Sequence, residues 1–163
     1  MSKINQKVNI NIIGAGLAGC ECAYILAKNG IKVKLYEMKP KYKSPAHTLD
    51  SFAELVCSNS LKSDEITNAC GLLKKQMQML DSLFVEIAHR TKIPAGQALA
   101  VDRDKFSEEI TKVIKENNNI EIIYEQIEDI SSMDGIVVVA TGPLTSDNLL
   151  ENIKKIVGDE SLY

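Results

Sequence analysis

The chain is poor in cysteine, in net charge and in long apolar runs. No apolar stretch reaches the ~18 residues that a bilayer-spanning helix requires, which excludes a membrane span. The opening Met-Ser-Lys-Ile-Asn-Gln-Lys lacks the apolar core of a secretory signal. Lys and Arg number 19 against 22 Asp and Glu, a net charge of −3, so the chain has no basic footprint of the whole-domain kind for nucleic acid. There are only 4 cysteines, at positions 20, 22, 57 and 70. Their spacing fits neither a disulfide framework nor a CxxC zinc pattern, so no metal site is expected. Cys20 and Cys22 lie two apart and would point in different directions on a helix. Free thiols and no export signal together imply a reducing, cytoplasmic setting. With 9 Gly and 4 Pro, collagen-like, low-complexity and disordered classes are excluded as well.

What is present is an ordinary domain. A chain of 163 residues corresponds to about one domain on a prior of ~150 residues. It can bury roughly 68–70% of its unfolded surface. The predicted order is strand, helix, strand, irregular segment, helix, helix, strand, strand, helix. Val8 to Ile13 reads as a strand with a partly wet end, because Asn9 and Asn11 interrupt its apolar run. A helix then runs to about Lys28, and Asn29-Gly30 stops it. Residues 31–37 alternate with period two, as a half-buried strand does. Residues 38–62 have no sustained periodicity, and such a segment inside a domain is usually functional or disordered. Apolar positions 66, 69, 73, 77, 80, 84 and 87 predict a helix with one buried stripe, with a start or bend at Gly71. Asp102 is the expected cap of a helix packing Phe106, Ile110, Val113 and Ile114 inward. Strands are predicted at Ile120 to Tyr124 and Ile136 to Ala140, the second central and parallel by its Ile-Val-Val-Val run. A last helix starts at Thr145 or Ser146, with Leu149, Leu150, Ile153, Ile156 and Val157 inward. There is no internal repeat. The closing residues 158–163 do not read as a polar tail, and the chain is expected to be part of a longer one.

The strongest local signal is Gly14-x-Gly16-x-x-Gly19 between a predicted strand and a predicted helix. Gly14 permits the tight turn, Gly16 lets the backbone approach a pyrophosphate, and Gly19 lets helix and strand pack closely. The phosphates then meet the helix N-terminus, where unpaired N–H groups and the macrodipole favour negative charge. Glu37 lies 18 residues past Gly19, where an acid can accept from both hydroxyls of an adenosine ribose. The bland alternative is a glycine-rich turn with no ligand; strand, loop, helix, strand and acid together favour a dinucleotide. NAD and FAD share the pattern. Ala140-Thr141-Gly142 after an apolar strand is either a plain strand-to-turn junction or a second passage along the cofactor, which small residues permit and which would favour FAD.

Other residues are open to two readings. Cys57 is either a small buried hydrophobe or a functional thiol in the irregular segment, where polar Ser58, Asn59 and Ser60 follow it. Cys20, Cys22 and Cys70 fall on predicted helices and read as packing. His47 either orients a ligand or faces solvent, and His89 reads as a partner of a helix dipole. Lysines 28, 32, 34, 39, 41 and 43 outnumber the single acid Glu37, and form either a solvated face or a local phosphate patch.

Six segments carry a family resemblance. They are Ile-Gly-Ala-Gly-Leu-Ala-Gly at 13–19, Leu-Tyr-Glu-Met-Lys-Pro at 35–40, Phe-Ala-Glu-Leu-Val-Cys-Ser-Asn-Ser-Leu at 52–61, Pro-Ala-Gly at 94–96, Ala-Leu-Ala-Val-Asp-Arg at 98–103 and Ala-Thr-Gly-Pro-Leu-Thr-Ser at 140–146. The chain thereby resembles the bacterial folate- and FAD-dependent tRNA uracil-5-methyltransferases, the TrmFO family. The resemblance implies an α/β, Rossmann-like, three-layer FAD-binding fold of the glutathione-reductase type. Residues 1–163 would be the N-terminal part of that domain, without its remainder and without the folate- and RNA-facing domain. It implies FAD at Gly14, Ala15, Gly16, Leu17, Ala18, Gly19, Glu37, Met38, Thr141 and Gly142. It also implies 5,10-methylenetetrahydrofolate as methyl donor, NAD(P)H as reductant, and C5 of a T-loop uridine in tRNA as acceptor. A thiolate adding at C6 would make C5 nucleophilic. Cys57 maps to one of two family cysteines, either as that nucleophile or as a shield for the flavin-bound one-carbon unit. Where the family has two histidines after Pro-Ala, this chain has His47 and then Thr48. The alternatives are a paralogue methylating a 23S rRNA uridine, the FAD- and folate-dependent partner of wobble-uridine modification, and a non-catalytic FAD-binding module. The sequence assigns no oligomeric state.

Overall fold

The computed structural model describes residues 8–158. The strands are β1 (Ile10–Ile13), β2 (Val33–Glu37), β3 (Ser60–Ser63), β4 (Lys92–Ile93), β5 (Ala98–Val101), β6 (Ile120–Tyr124) and β7 (Ile136–Val139). The helices are α1 (Leu17–Lys28), α2 (Ala69–Met79), α3 (Leu83–Arg90), α4 (Arg103–Glu116) and α5 (Asp147–Val157), with a 3₁₀ turn at Gly142–Leu144. Two sheets result. One is parallel and four-stranded in the order β6-β2-β1-β7; the other is antiparallel and three-stranded in the order β3-β5-β4.

The parallel sheet positions the site. β1 pairs with β2 in register Ile12 to Leu35, and on its other side with β7 in register Ile12 to Val138. The chain crosses over from β1 to β2 through α1, whose buried face is made of Gly19, Cys20, Ala23 and Ala27. Residues this small let the helix axis lie close to the sheet. The alternation expected for residues 31–37 holds over 33–37, with Val33, Leu35 and Glu37 buried and Lys34 and Tyr36 half-buried, whereas Ile31 is exposed ahead of the strand. α4 begins at Asp102, whose carboxylate accepts from the Lys105 N–H, and Phe106, Ile110 and Ile114 are buried along it. These side chains join Ile12, Leu35, Phe52, Ile87 and Leu99 in a single core.

Several expectations are corrected. The strand end is partly wet as expected, with Val8 and Asn9 exposed, but Asn11 is buried: its Nδ2 donates to the Asp134 carbonyl at 2.8 Å. The helix expected from Ile66 to Ile87 is two helices. Asp81 takes a left-handed φ of 59°, and Ser82 caps α3 by accepting from Val85 N–H. The stripe on α2 is not buried, since Leu73 and Leu80 are 57% and 75% exposed. Cys70 is exposed. On α5 only Leu149 is buried. β7 is not central among the described residues: it pairs with β1 on one side, and its Ile136 and Val139 are exposed. Lys39, counted with a solvated lysine face, is buried.

Candidate nucleotide site and the cysteine loop

At the end of β1 the chain turns at Gly14, whose N–H donates to the Tyr36 carbonyl at 2.8 Å. Its φ of 97° is strained for any residue with a Cβ, and a Cβ there would also lie 3.0 Å from the Ala140 carbonyl oxygen. A Cβ at Gly19 would overlap the Gly14 carbonyl oxygen. Gly16 differs from both: its φ is −73°, and a Cβ there would meet only the Ala140 oxygen at 3.9 Å. Packing among the described residues therefore demands glycine at 14 and 19 but not at 16. Gly16 is the N-cap of α1. No side chain caps that terminus, and no acidic residue occupies its first turn. Its first N–H groups are thus open to an anion.

A pocket of about 310 Å³ lies at this turn, within the size range of small-molecule sites. Gly14, Ala15, Gly16, Leu17, Ala18, Glu37, Met38, Thr141 and Gly142 all line it. Gly19 does not; it sits beneath the turn as a packing residue. The pocket lies outside the carboxyl ends of β1, β2 and β7, with β2 and β7 on opposite sides of β1. Ligands of open α/β sheets bind at such a point.

Glu37 is buried, and both of its oxygens are in use. Oε2 accepts from Ala15 N–H and Oε1 from Lys39 N–H, each at 2.9 Å. The acid at the end of β2 thus fixes the glycine turn. Each oxygen keeps a further lone pair. Cys20, one turn into α1, has its thiol pushed up by burial and by the Glu37 charge, so it stays protonated.

Sequence reasoning missed a second acid on the pocket wall. Glu54 Oε1 accepts from Thr48 N–H, Thr48 Oγ1–H and Leu49 N–H. Burial opposes its charge, but these hydrogen bonds and Lys39 outweigh burial and hold its carboxyl below the usual range. Oε2 makes no hydrogen bond and lies 3.5 Å from Lys39 Nζ, with the two side chains 5% and 3% exposed. Lys39 Nζ also donates to the Ser51 carbonyl at 2.5 Å. His47 lines the same pocket, bonded through Nδ1 to Ser44 Oγ at 2.8 Å. Burial, then the Lys39 charge, lowers its pKa, so its ring is neutral near pH 7. No local pattern announces the Lys39–Glu54 pair, because its members are 15 positions apart in an aperiodic segment.

Cys57 is exposed and does not line the pocket, although Glu54 and Val56 do. Its loop is held at both ends by β5 and the start of α4. Arg103 donates to the Leu55 carbonyl. Asn59 Nδ2 donates to the Val101 carbonyl at 3.1 Å, and Val101 N–H returns a bond to the Asn59 carbonyl at 3.0 Å. Cys57 therefore stands near the tip of a loop whose base runs along the pocket rim.

The parallel order, the β1–α1–β2 crossover and the glycine turn place the chain in the class of Rossmann-like α/β proteins. It belongs to the family described as glucose inhibited division protein A, whose model matches residues 9–162. It is 60% identical over 152 residues to the methylenetetrahydrofolate–tRNA-(uracil-5-)-methyltransferase TrmFO of Fusobacterium nucleatum, covering 93% of this chain and 35% of that protein. Against the proteins of the same name from Acetivibrio thermocellus and Thermotoga maritima, identity is 55% and 53%, over 94% of this chain and 35% of each relative. The chain thus spans about a third of the length of these relatives. Among solved structures, Aquifex aeolicus GidA in its form II crystal superposes with a TM-score of 0.59 at 18% identity, over 79% of this chain and 21% of that one. That likeness is one of fold. Among the described residues, no helix is long and apolar enough to cross a membrane.

Proposed function

We propose that the chain is the N-terminal part of the FAD-binding domain of a cytoplasmic methylenetetrahydrofolate-dependent tRNA (uracil-5-)-methyltransferase. The observation that carries this reading is the Gly16 cradle: an open pocket at an uncapped helix N-terminus, where nothing among the described residues requires glycine. It occurs in a chain 60% identical to a protein named for that reaction. A further domain portion fits β7, whose outer edge is unpaired among the described residues. An apolar groove beside it is lined by Val139, Leu150, Ile153, Ile156 and Val157.

The residues present suit FAD. The α1 N–H groups would hold a diphosphate, and the macrodipole would add to its attraction. Glu37, fixed by two backbone N–H groups, has lone pairs left for ribose hydroxyls. Leu17, Ala18 and Met38 supply apolar wall, and Thr141 and Gly142 close the side next to β7. When bound, FAD supplies the redox chemistry that turns the methylene of 5,10-methylenetetrahydrofolate into a methyl group, with NAD(P)H as the source of electrons. Cys57 serves the transfer through its thiol, either adding to uridine C6 or shielding the reacting face. Both roles need an exposed thiol, and Cys57 is exposed. The second cysteine of the reaction belongs to the portion outside residues 1–163.

The test is transfer of a labelled one-carbon unit from 5,10-methylenetetrahydrofolate by the full-length protein to tRNA and rRNA transcripts. Label in tRNA 5-methyluridine is expected. Label confined to rRNA would move the protein to the ribosomal paralogue. No label in either RNA, with FAD bound, would leave a flavin-binding module and refute the enzyme.

A further inference from the structure

α2 carries its polarity inside out. On a helix, Leu72, Leu73 and Met79 fall on one side, and the capping residue Leu80 continues that side. These four are 46%, 57%, 76% and 75% exposed. The opposite side is the buried one, and it holds Gly71 and Lys74. A Cβ at Gly71 would overlap the Glu65 carbonyl oxygen, so the helix is pressed against that turn. The Lys74 ammonium donates to the Leu61 carbonyl at 2.7 Å and to the Cys70 carbonyl at 3.1 Å, and is spent inside the protein.

The outer face has one polar side chain within it, the exposed Gln76, and little charge to solvate it. Between Ala69 and Leu80 the charged residues are Lys74 and Lys75, and only Lys75 is exposed, bonded to Gln78 at 2.9 Å. α4 is an ordinary surface helix by comparison, with Asp104, Lys105, Glu108 and Lys115 exposed over a buried apolar side. A cluster of four exposed large apolar side chains with few charges around it marks an interaction site. A helix that turns a lysine inward and leucines outward cannot gain stability from its solvent face.

The structure assigns this face to an intramolecular interface. We infer that the outer side of α2, with Leu72, Leu73, Met79 and Leu80 at its centre, is covered by the part of the full-length protein outside residues 1–163. The relatives at 53–60% identity are each matched over only 35% of their length, so about two thirds of such a chain lies outside this one. That bulk is covalently tethered, and its effective concentration exceeds that of any separate partner. The inference does not depend on the proposed methyl transfer.

Met79 reports on it directly, because a thioether is oxidised by peroxide in proportion to its exposure. The experiment follows Met79 sulfoxide formation by mass spectrometry in native full-length protein and in the same protein unfolded in urea. Oxidation slowed by about tenfold or more in the native protein, and unchanged on dilution through the range where the protein is monomeric, is the expected result. A native rate within about twofold of the unfolded rate would show a solvated face and overturn the inference. Protection that vanishes as a dimer dissociates would assign the face to a second copy and overturn it equally. Leu73→Asp in the full-length protein supplies the second reading. It should lower the thermal midpoint by several degrees, whereas Lys112→Asp on α4 should not; equal midpoints for the two variants would also contradict the interface.

Discussion

The two sheets hold their key residues in opposite ways. The parallel sheet presents backbone: at the ends of β1 and β2, the site is a glycine turn, a bare helix N-terminus and an acid bonded to main-chain N–H groups. The antiparallel sheet presents a side chain: β3 and β5 brace a loop that exposes Cys57, with Leu55 and Asn59 tied down on either side. A backbone site can be destroyed by adding atoms, whereas a side-chain site is destroyed by removing them. The difference sets what each substitution should do, and the expected effects run from loss of the fold to nothing.

Gly19→Val has the largest effect. Its first added carbon overlaps the Gly14 carbonyl oxygen, which sits in the turn and cannot yield without moving β1. Overpacking of this kind costs about 3 kcal/mol or more. Denaturant unfolding of the full-length variant should show that loss, and wild-type stability would mean that helix and turn are not in contact.

Cys57→Ala comes next. The exposed thiol contributes little to packing, so folding and FAD content should remain near normal. Methyl transfer should fall at least about tenfold, or about 1.4 kcal/mol of transition-state stabilisation. A variant methylating RNA at the wild-type rate would remove Cys57 from the chemistry.

Glu37→Ala has an effect of similar size, on ligand binding rather than on methyl transfer. Losing one charged acceptor should weaken FAD by about 1–3 kcal/mol, read as a shift in its dissociation constant. An unchanged constant would reduce Glu37 to a support for the glycine turn. Cys70→Ala is the smallest. Sequence pattern makes Cys70 a packing residue, but it is exposed on α2, and its replacement should change stability by less than about 0.5 kcal/mol. A larger loss would mean that Cys70 is covered in the full-length protein.

Much of the parallel sheet was legible because its determinants are local. The alternation over residues 33–37, the Asp102 cap and the three glycines of the turn each declare themselves within a few positions. Lys39 was not legible: a lysine among lysines reads as solvated, and only its pairing with Glu54 draws it inside. The stripe through Leu73 and Leu80 was seen, but not which way it faces, because periodicity fixes a face and not its neighbour. The same holds for β7, whose apolar run suits a central strand while its outer edge has no partner among the described residues. Of the candidate site, the pocket-lining residues of the glycine turn, Glu37, Met38, Thr141 and Gly142 were legible from the glycine pattern and the resemblance, and Gly19 proved a packing residue. The Lys39–Glu54 wall and the Arg103 and Asn59 ties were not, because each joins segments distant in sequence.

The central claim is that Gly16 is glycine for a ligand's sake. Full-length Gly16→Val, purified beside the wild type, tests it by the flavin bound per chain, with circular dichroism of the same sample reporting whether the fold is kept. The account predicts a folded protein, because a Cβ at Gly16 meets nothing closer than 3.9 Å, with no flavin retained. A folded Gly16→Val that keeps its full complement of FAD would contradict it.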